Sequence, residues 1–583
     1  MLKFGDYISG LPESPHVNFA QLLEQIARDH AEKDAVLFRC GGQKEFSRWS
    51  FARYGEECRR VARGLLAAGL VAGDRAVLWA ENRPEWMAVW MGAVIAGISI
   101  VPVDFLITDK ECLNIIRITR AKAFFHSGTK RDFAASLAGE GLEMAATVCI
   151  SPPEDSGVSE FYRFGADSGG QVLPAPEGIA GGHPASIVFT SGTTGVAKGV
   201  TLSHRNIIGN ANAAIRILEP NERDVFIDVL PLHHTYPTTC CFIAPLSFGI
   251  PTVIVEKIVG KVVIDDVRDA GVTFLIGVPL LFDKVMTALD SGYNNKIPGI
   301  VKAVLKPARK KALEEANRGR PEYGRKKFLF FRKKAGLASI RMMVAGGGPL
   351  NPKTADFFDS LGFNIVHGYG MSENSPLISV NTPRHKRNVS VGLPVSDTEL
   401  KILEPNAEGI GEIACTSPSV MIGYFENEAA TAEVIKEMDG RRWLLTGDLG
   451  KIDSDGFLYI MGRKKNLIVT AAGKNIYPEE IEVMFSSRAI AEILVVGRRA
   501  KDGSGESIFA VVVPNYDNIK EDHPGREGDE DFVRTLVKQL VEDANRRLPI
   551  YKKIGDFTLR REPFEKNAQQ KIKRFLYREY ETE

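Results

Sequence analysis

The sequence has no surplus of charge of either sign: 74 Lys and Arg stand against 73 Asp and Glu, for a formal net charge of +1. A dedicated nucleic-acid binder carries a basic excess, so no nucleic-acid partner is expected. Cys-x-x-Cys pairs are absent as well. The seven cysteines (Cys40, Cys58, Cys112, Cys149, Cys240, Cys241 and Cys415) are odd in number and scattered, which argues against a disulfide framework or a Cys-based zinc site and fits reduced thiols. The first residues lack the apolar core and small-residue cleavage site of a signal peptide, so no export is expected. Uninterrupted hydrophobic runs are scarce. Trp86 to Val103 carries no charge over 18 residues, the lower limit for a membrane span, but it contains glycines, Ser99 and Pro102 and reads as a buried helix followed by a strand. Val229 to Val255 is broken by Pro231, Pro237, Pro245, Pro251, His233 and His234, which exclude one continuous helix. A cytoplasmic protein follows as the expectation.

What is present is the composition of a globular protein, 44% hydrophobic and 25% charged, over 583 residues, long enough for several domains. Helical patterns at Phe19 to His30 and Tyr54 to Gly69 alternate with short apolar runs at Ala76 to Trp79, Ile98 to Val103 and Ala123 to His126. The alternation returns at Thr252 to Val255, Phe274 to Ile276, Arg341 to Ala345 and Asn364 to Val366. This is α/β order. It predicts a large N-terminal domain of two αβ sheet layers, residues 1–462, with a small β-rich subdomain at about 395–460, where turn signals recur at Glu404-Pro-Asn, Glu408-Gly-Ile-Gly and Asp453-Ser-Asp-Gly. A small mobile α+β C-terminal domain, 463–583, is expected to follow the polar, basic stretch at Gly462 to Asn466.

The most informative segment is Thr190, Ser191, Gly192, Thr193, Thr194, Gly195, Val196, Ala197 and Lys198. Small and hydroxyl residues after the strand-like run Ala185 to Phe189 can wrap backbone N–H groups around a polyphosphate. It is not a Walker A loop, because Gly199 rather than a hydroxyl residue follows Lys198. A second signal, Gly368-Tyr369-Gly370-Met371-Ser372-Glu373, sets an aromatic, a hydroxyl and a carboxylate at a strand's end: Tyr369 to stack on a purine, Ser372 to bond a phosphate oxygen, Glu373 to hold Mg2+ bridging phosphates. A third, Val344-Ala-Gly346-Gly347-Gly348-Pro349, offers bare backbone that adenine edges can approach. Alone, each is an ordinary turn. The second and third, on neighbouring strands, would face one crevice of a parallel sheet.

In this order the motifs resemble the adenylate-forming superfamily, which includes acyl-CoA synthetases, luciferases and peptide-synthetase adenylation domains. The resemblance spans nearly the whole chain. It implies a phosphate loop at Thr190 to Val200, adenine loops at Gly346 to Pro349 and Tyr369 to Glu373, a ribose aspartate at Asp448 in Thr446-Gly-Asp448, a ribose contact at Arg463 and a hinge at Lys465. It further implies that Lys571 is the catalytic lysine, that Thr190 joins Glu373 at the metal, that His234 in Pro231-Leu-His-His234 stands beside the acyl site, and that Gly473 in Ala471-Ala-Gly473 lets a pantetheine arm pass. The sequence departs from the family pattern at Ala197, Ser372, Asn466 and Gln569-Gln570. Joining a carboxylate to the α-phosphate of ATP brings two anions together, so fixed cations such as Lys198 and Lys571 have a physical reason to be there.

Charge is balanced overall but not locally. Lys296 to Lys334 holds fourteen Lys or Arg against three Glu, a net of +11, around Phe328-Leu-Phe-Phe331. Its place resembles an insertion of long-chain acyl-CoA synthetases, implying contact with an anionic membrane surface at the inner face of the membrane; docking an acidic acyl carrier protein is the alternative. The expected function is an ATP-dependent, AMP-forming ligase that joins a medium- or long-chain fatty acid to coenzyme A. An acyl-acyl carrier protein synthetase, a fatty acyl-AMP ligase and a non-catalytic adenylate sensor are the alternatives.

Overall fold

The computed structural model describes residues 16–39, 43–152, 159–190, 197–256, 258–296, 299–470, 473–485, 487–499, 505–566 and 572–581. Two large sheets occupy the first four hundred residues. In the seven-stranded sheet the neighbours run Gly423–Tyr424, Lys198–Ser203, Pro184–Thr190, Ser99–Pro102, Arg75–Trp79, Ala123–His126 and Ala146–Cys149. Its last five are parallel; Lys198–Ser203 turns back antiparallel on Pro184–Thr190. The nine-stranded sheet runs Leu393–Pro394, Leu377–Val380, Ile365–Gly370, Met342–Ala345, Phe274–Gly277, Phe226–Asp228, Thr252–Ile254, Asp34–Phe38 and Ser47–Ser50, with a parallel centre and antiparallel edges. The α/β expectation is met. As expected, the segment at Thr190 follows the end of a strand, and the next strand, Lys198–Ser203, pairs back antiparallel on it.

The helices fill the space against these sheets for reasons visible locally. Pro84–Ile95 starts on a proline at its first turn, where no N–H is needed, and is buried on every face because it is apolar all round. Trp90 within it meets Phe19 edge-on at 5.1 Å and Phe242 at 5.6 Å, joining three helical segments in one core. His204–Leu218 begins with a reciprocal cap between Ser203 and Asn206, and Asp109–Thr119 with one between Thr108 and Glu111. Within the uncharged run 229–255 only 235–247 is helical, a continuous stretch whose middle, Thr238–Ile243, is π-helical, and the strand Thr252–Ile254 follows. Among the described residues, no helix is long and apolar enough to cross a membrane.

Residues 399–463 form a five-stranded antiparallel sheet, the expected β-rich section. Beyond it, Ile490–Arg499, Glu506–Pro514 and Asp556–Leu559 make a three-stranded sheet covered by Glu530–Arg547, with Val495, Ile508, Ala510, Val537 and Val541 in an apolar cluster of their own.

The basic segment forms three helices, Gly299–Asn317, Glu322–Lys327 and Leu329–Lys334. It is not wholly a solvated face. Arg332 is fully buried and donates to the carbonyls of Gly362, at 2.8 Å, and Ile340, while Phe328 and Ala312 pack into the main core. Val304 and Phe330 stand out from it, 71% and 73% exposed.

Candidate functional site

The hairpin Pro184–Thr190/Lys198–Ser203 pairs Thr190 with Lys198. Ser191, Gly192, Thr193, Thr194 and Gly195 lie outside the described residues. The Lys198 ammonium sits 5.0 Å from the centre of the Tyr424 ring and 4.0 Å from Glu433. Tyr424 in turn donates its hydroxyl to Glu373 Oε1 at 2.8 Å. Burial, then the neighbouring Glu373 charge, holds the Tyr424 phenol well above its ordinary pKa, so it stays a donor at neutral pH. Lys198 and Glu373, far apart in sequence, thus flank one tyrosine.

Glu373 lies in the turn Ser372–Asn374 directly after the strand Ile365–Gly370. Its carbonyl accepts from Met421 N at 2.8 Å. Ser372 Oγ accepts from Thr235 Oγ1 at 3.2 Å, which brings the His234 turn to the same place. His234 precedes that turn, its ring 4.1 Å from His233, and its carbonyl accepts from Thr238 Oγ1 at 2.8 Å. Burial drives His233 down to about 3, so it is neutral. Gly370 must be glycine: a Cβ there would run into the Pro376 carbonyl, next to the Met371 N to Pro376 O bond of 2.9 Å.

On the other side, Tyr369 donates its hydroxyl to Asp448 Oδ2 at 2.6 Å, and Arg463 Nε meets Asp448 Oδ1 at 2.7 Å. The long antiparallel pair Arg441–Ile452 and Leu458–Arg463 fixes this, because Asp448 and Arg463 are register partners. Burial and the Asp448 charge raise the Tyr369 phenol well above its usual value. Gly346 lies under the ring of Tyr236, where a Cβ would come within 2.7 Å of it; Gly347 adopts φ +81°, a left-handed conformation favouring glycine. The carbonyl of Gly348 accepts from His367 Nε2 at 2.9 Å, with His367 pushed by burial to about 4.

Further along, Lys465 sits in the turn Lys464–Asn466, flanked by ion and hydrogen bonds of Lys464 to Glu412, at 2.7 Å, and of Asn466 to Glu479, at 2.6 Å. Gly473 has φ +67°, and among the described residues nothing lies within 4 Å of where a Cβ would stand. Lys571 falls outside the described residues; the chain on either side of it closes through the Lys566–Ile572 bridge and the bond from Lys573 N to Glu565 O at 2.8 Å.

The structure therefore gathers Lys198, Glu373, Ser372 and the His234 turn around one set of contacts, and Tyr369, Asp448 and Arg463 around another that shares the strand Ile365–Gly370. Tyr424, Thr235 and Tyr236 had no local signal in the sequence, since only pairing between distant segments brings them there. Among the described residues no group of three or more His, Cys, Asp or Glu is placed to hold a metal. A lone carboxylate such as Glu373 suits Mg2+, which keeps several waters and binds through one or two carboxylates plus phosphates.

The glycine loop and the carboxylate turn follow neighbouring strands of the nine-stranded sheet, the hairpin comes from the seven-stranded one, and the class of protein is given by the match to a known family. Residues 23–425 match the family of the AMP-binding enzymes, and the chain belongs to it. It is 27% identical over 518 residues to the long-chain-fatty-acid–CoA ligase ACSBG2 of Gallus gallus, covering 85% of this chain and 67% of that protein. To the long-chain-fatty-acid–CoA ligase FadD15 of Mycobacterium bovis it is 28% identical over 500 residues, covering 83% and 80%. The crystal structure of ATP-bound MatB from Rhodopseudomonas palustris shares the fold, with a TM-score of 0.76 at 23% identity over 97% of this chain and 99% of that one.

Proposed function

We propose that this chain is an ATP-dependent, AMP-forming ligase that converts a medium- or long-chain fatty acid to its acyl adenylate and passes the acyl group to coenzyme A. The observation that carries it is the convergence of Lys198 and Glu373 on Tyr424, beside the Tyr369–Asp448–Arg463 cluster, in a chain of the AMP-binding family whose relatives include long-chain-fatty-acid–CoA ligases.

In this reading ATP lies over the strand ends. Gly346, Gly347, Gly348 and the segment Tyr369-Gly370-Met371 meet adenine; Asp448 and Arg463 take the ribose; Thr190 to Lys198 and Ser372 take the phosphates. Glu373 and Thr190 would hold Mg2+, which would supply positive charge to offset that of the phosphates. The fatty acid carboxylate attacks the α-phosphate and pyrophosphate leaves, while Lys198 and Lys571 offset the gathering negative charge. The thiol of coenzyme A then attacks the acyl carbonyl, its proton leaves, and AMP departs; His234 lies on the acyl side. The domains are 1–462 and 463–583. Turning about Lys465 exchanges Lys571 for the Gly473 loop between the two steps, which the separate apolar cluster of the C-terminal section permits. The basic helices of 299–334 face an anionic membrane surface at the inner face of the membrane.

A panel of carboxylic acids assayed for AMP release with coenzyme A, and with acyl carrier protein as the competing acceptor, tests the function. Lys571→Ala is expected to slow adenylation by roughly 10² to 10³, about 2.7 to 4 kcal/mol, as for loss of one transition-state donor. Thioester formation from supplied acyl adenylate should survive; equal loss in both steps would contradict the role given to Lys571.

A further inference from the structure

The side chain that separates Lys198 from Glu373 belongs to neither motif. Gly423–Tyr424 is a two-residue strand laid antiparallel on Lys198–Ser203, with Tyr424 opposite Val200. Its backbone is fixed on every side: Ile422 N donates to Thr201 O at 2.9 Å, Phe425 N to Gly199 O at 2.7 Å, and Tyr424 N to Thr431 Oγ1 at 2.9 Å. Two residues before the strand, Met421 N holds the Glu373 carbonyl. A residue pinned this firmly cannot follow a moving partner. Its partners must conform to it.

The half-buried Tyr424 side chain uses its two chemical ends differently. The hydroxyl gives its one proton to Glu373 Oε1 at 2.8 Å, which fixes the rotation of the carboxylate and leaves Oε2 for another cation. The ring offers its electron-rich face to the Lys198 ammonium at 5.0 Å, within the range where a cation is attracted without being neutralised. Placed side by side with nothing between them, a lysine and a glutamate would pair and cancel each other. Tyr424 contacts both: Lys198 meets its ring and, at 4.0 Å, the Glu433 carboxylate, while Glu373 bonds its hydroxyl through one oxygen and keeps the other for a divalent ion.

We infer that Tyr424 is a positioning residue for adenylation, orienting the Glu373 carboxylate toward the phosphate-bound Mg2+ through its hydroxyl and holding Lys198 apart from it across its ring. This rests on the reading of Glu373 given above. In this assignment Tyr424 acts through its two neighbours, Glu373 and Lys198.

The test is a Mg2+ titration of fatty-acid-dependent exchange of pyrophosphate into ATP. It is run with the full-length wild type, Tyr424→Phe, Glu373→Gln and the double variant, with Tyr424→Leu added to remove the ring as well. Thermal unfolding of each variant is recorded alongside. Tyr424→Phe keeps the ring and the volume, so it is expected to fold and to raise the Mg2+ concentration for half-maximal exchange roughly tenfold, the lower end of what loss of an outer partner of a metal ligand costs. In the Glu373→Gln background the same change should have no further effect, since the two residues act as one unit. Tyr424→Leu should in addition raise the KM for ATP by freeing Lys198. An unchanged Mg2+ midpoint in Tyr424→Phe, or additive effects in the double variant, overturns the inference while leaving the Glu373 assignment standing. If Glu373→Gln itself leaves the Mg2+ midpoint unchanged, the metal assignment fails and the inference falls with it.

Discussion

Asp448 shows how much one carboxylate can organise. It accepts the Tyr369 hydroxyl with one oxygen and meets the Arg463 guanidinium with the other, so removing it strands a half-buried phenol and an arginine together. Asp448→Ala is expected to lower kcat/KM for ATP by about 10- to 100-fold, equivalent to about 1.4 to 2.7 kcal/mol. Steady-state kinetics of AMP release with ATP varied checks it, and an unchanged value would remove Asp448 from the nucleotide site. Asp448 was legible in the sequence only through its place in an ordered set, because Gly-Asp after a strand is a common turn. Tyr424 was not legible at all. Its significance comes from the pairing of Gly423–Tyr424 with Lys198–Ser203, and nothing in its own neighbourhood announces that contact.

At the scale of elements, the strands and helices with one dominant physical cause were readable. Ala123–His126 is a short apolar run buried on both faces, and Pro84–Ile95 is apolar all round. The hairpin after Thr190 was harder, because Gly/Ser/Thr loops precede helices and strands alike. The basic helices show a different limit: a count of charges does not reveal that Arg332 is buried and anchors them to Gly362 and Ile340. Phe330 and Val304 remain outside among the other cations, and under the proposed membrane contact each cation near anionic lipid would contribute about 1 kcal/mol. Co-sedimentation with vesicles containing anionic lipid should fall when Phe330 and Val304 are changed to Ser, and fall again in high salt. Binding that ignores both changes would assign the segment another role.

The whole molecule brings together parts that no single element contains. The hairpin comes from the seven-stranded sheet, the carboxylate turn and glycine loop from the nine-stranded one, and Asp448 and Arg463 from the antiparallel section. The order of motifs made this assembly readable, since each segment is ambiguous alone and constrained by the others. The acyl tail's length was not readable, because a pocket wall is set by which apolar side chains meet from distant helices, and many sequences supply such side chains. The most direct measurement is the exchange of labelled pyrophosphate into ATP by the purified full-length protein, with and without a fatty acid. Exchange that requires the fatty acid and Mg2+ and collapses in Glu373→Gln is the predicted result. Exchange that is absent with every acid tried, or indifferent to the acid supplied, would contradict the account.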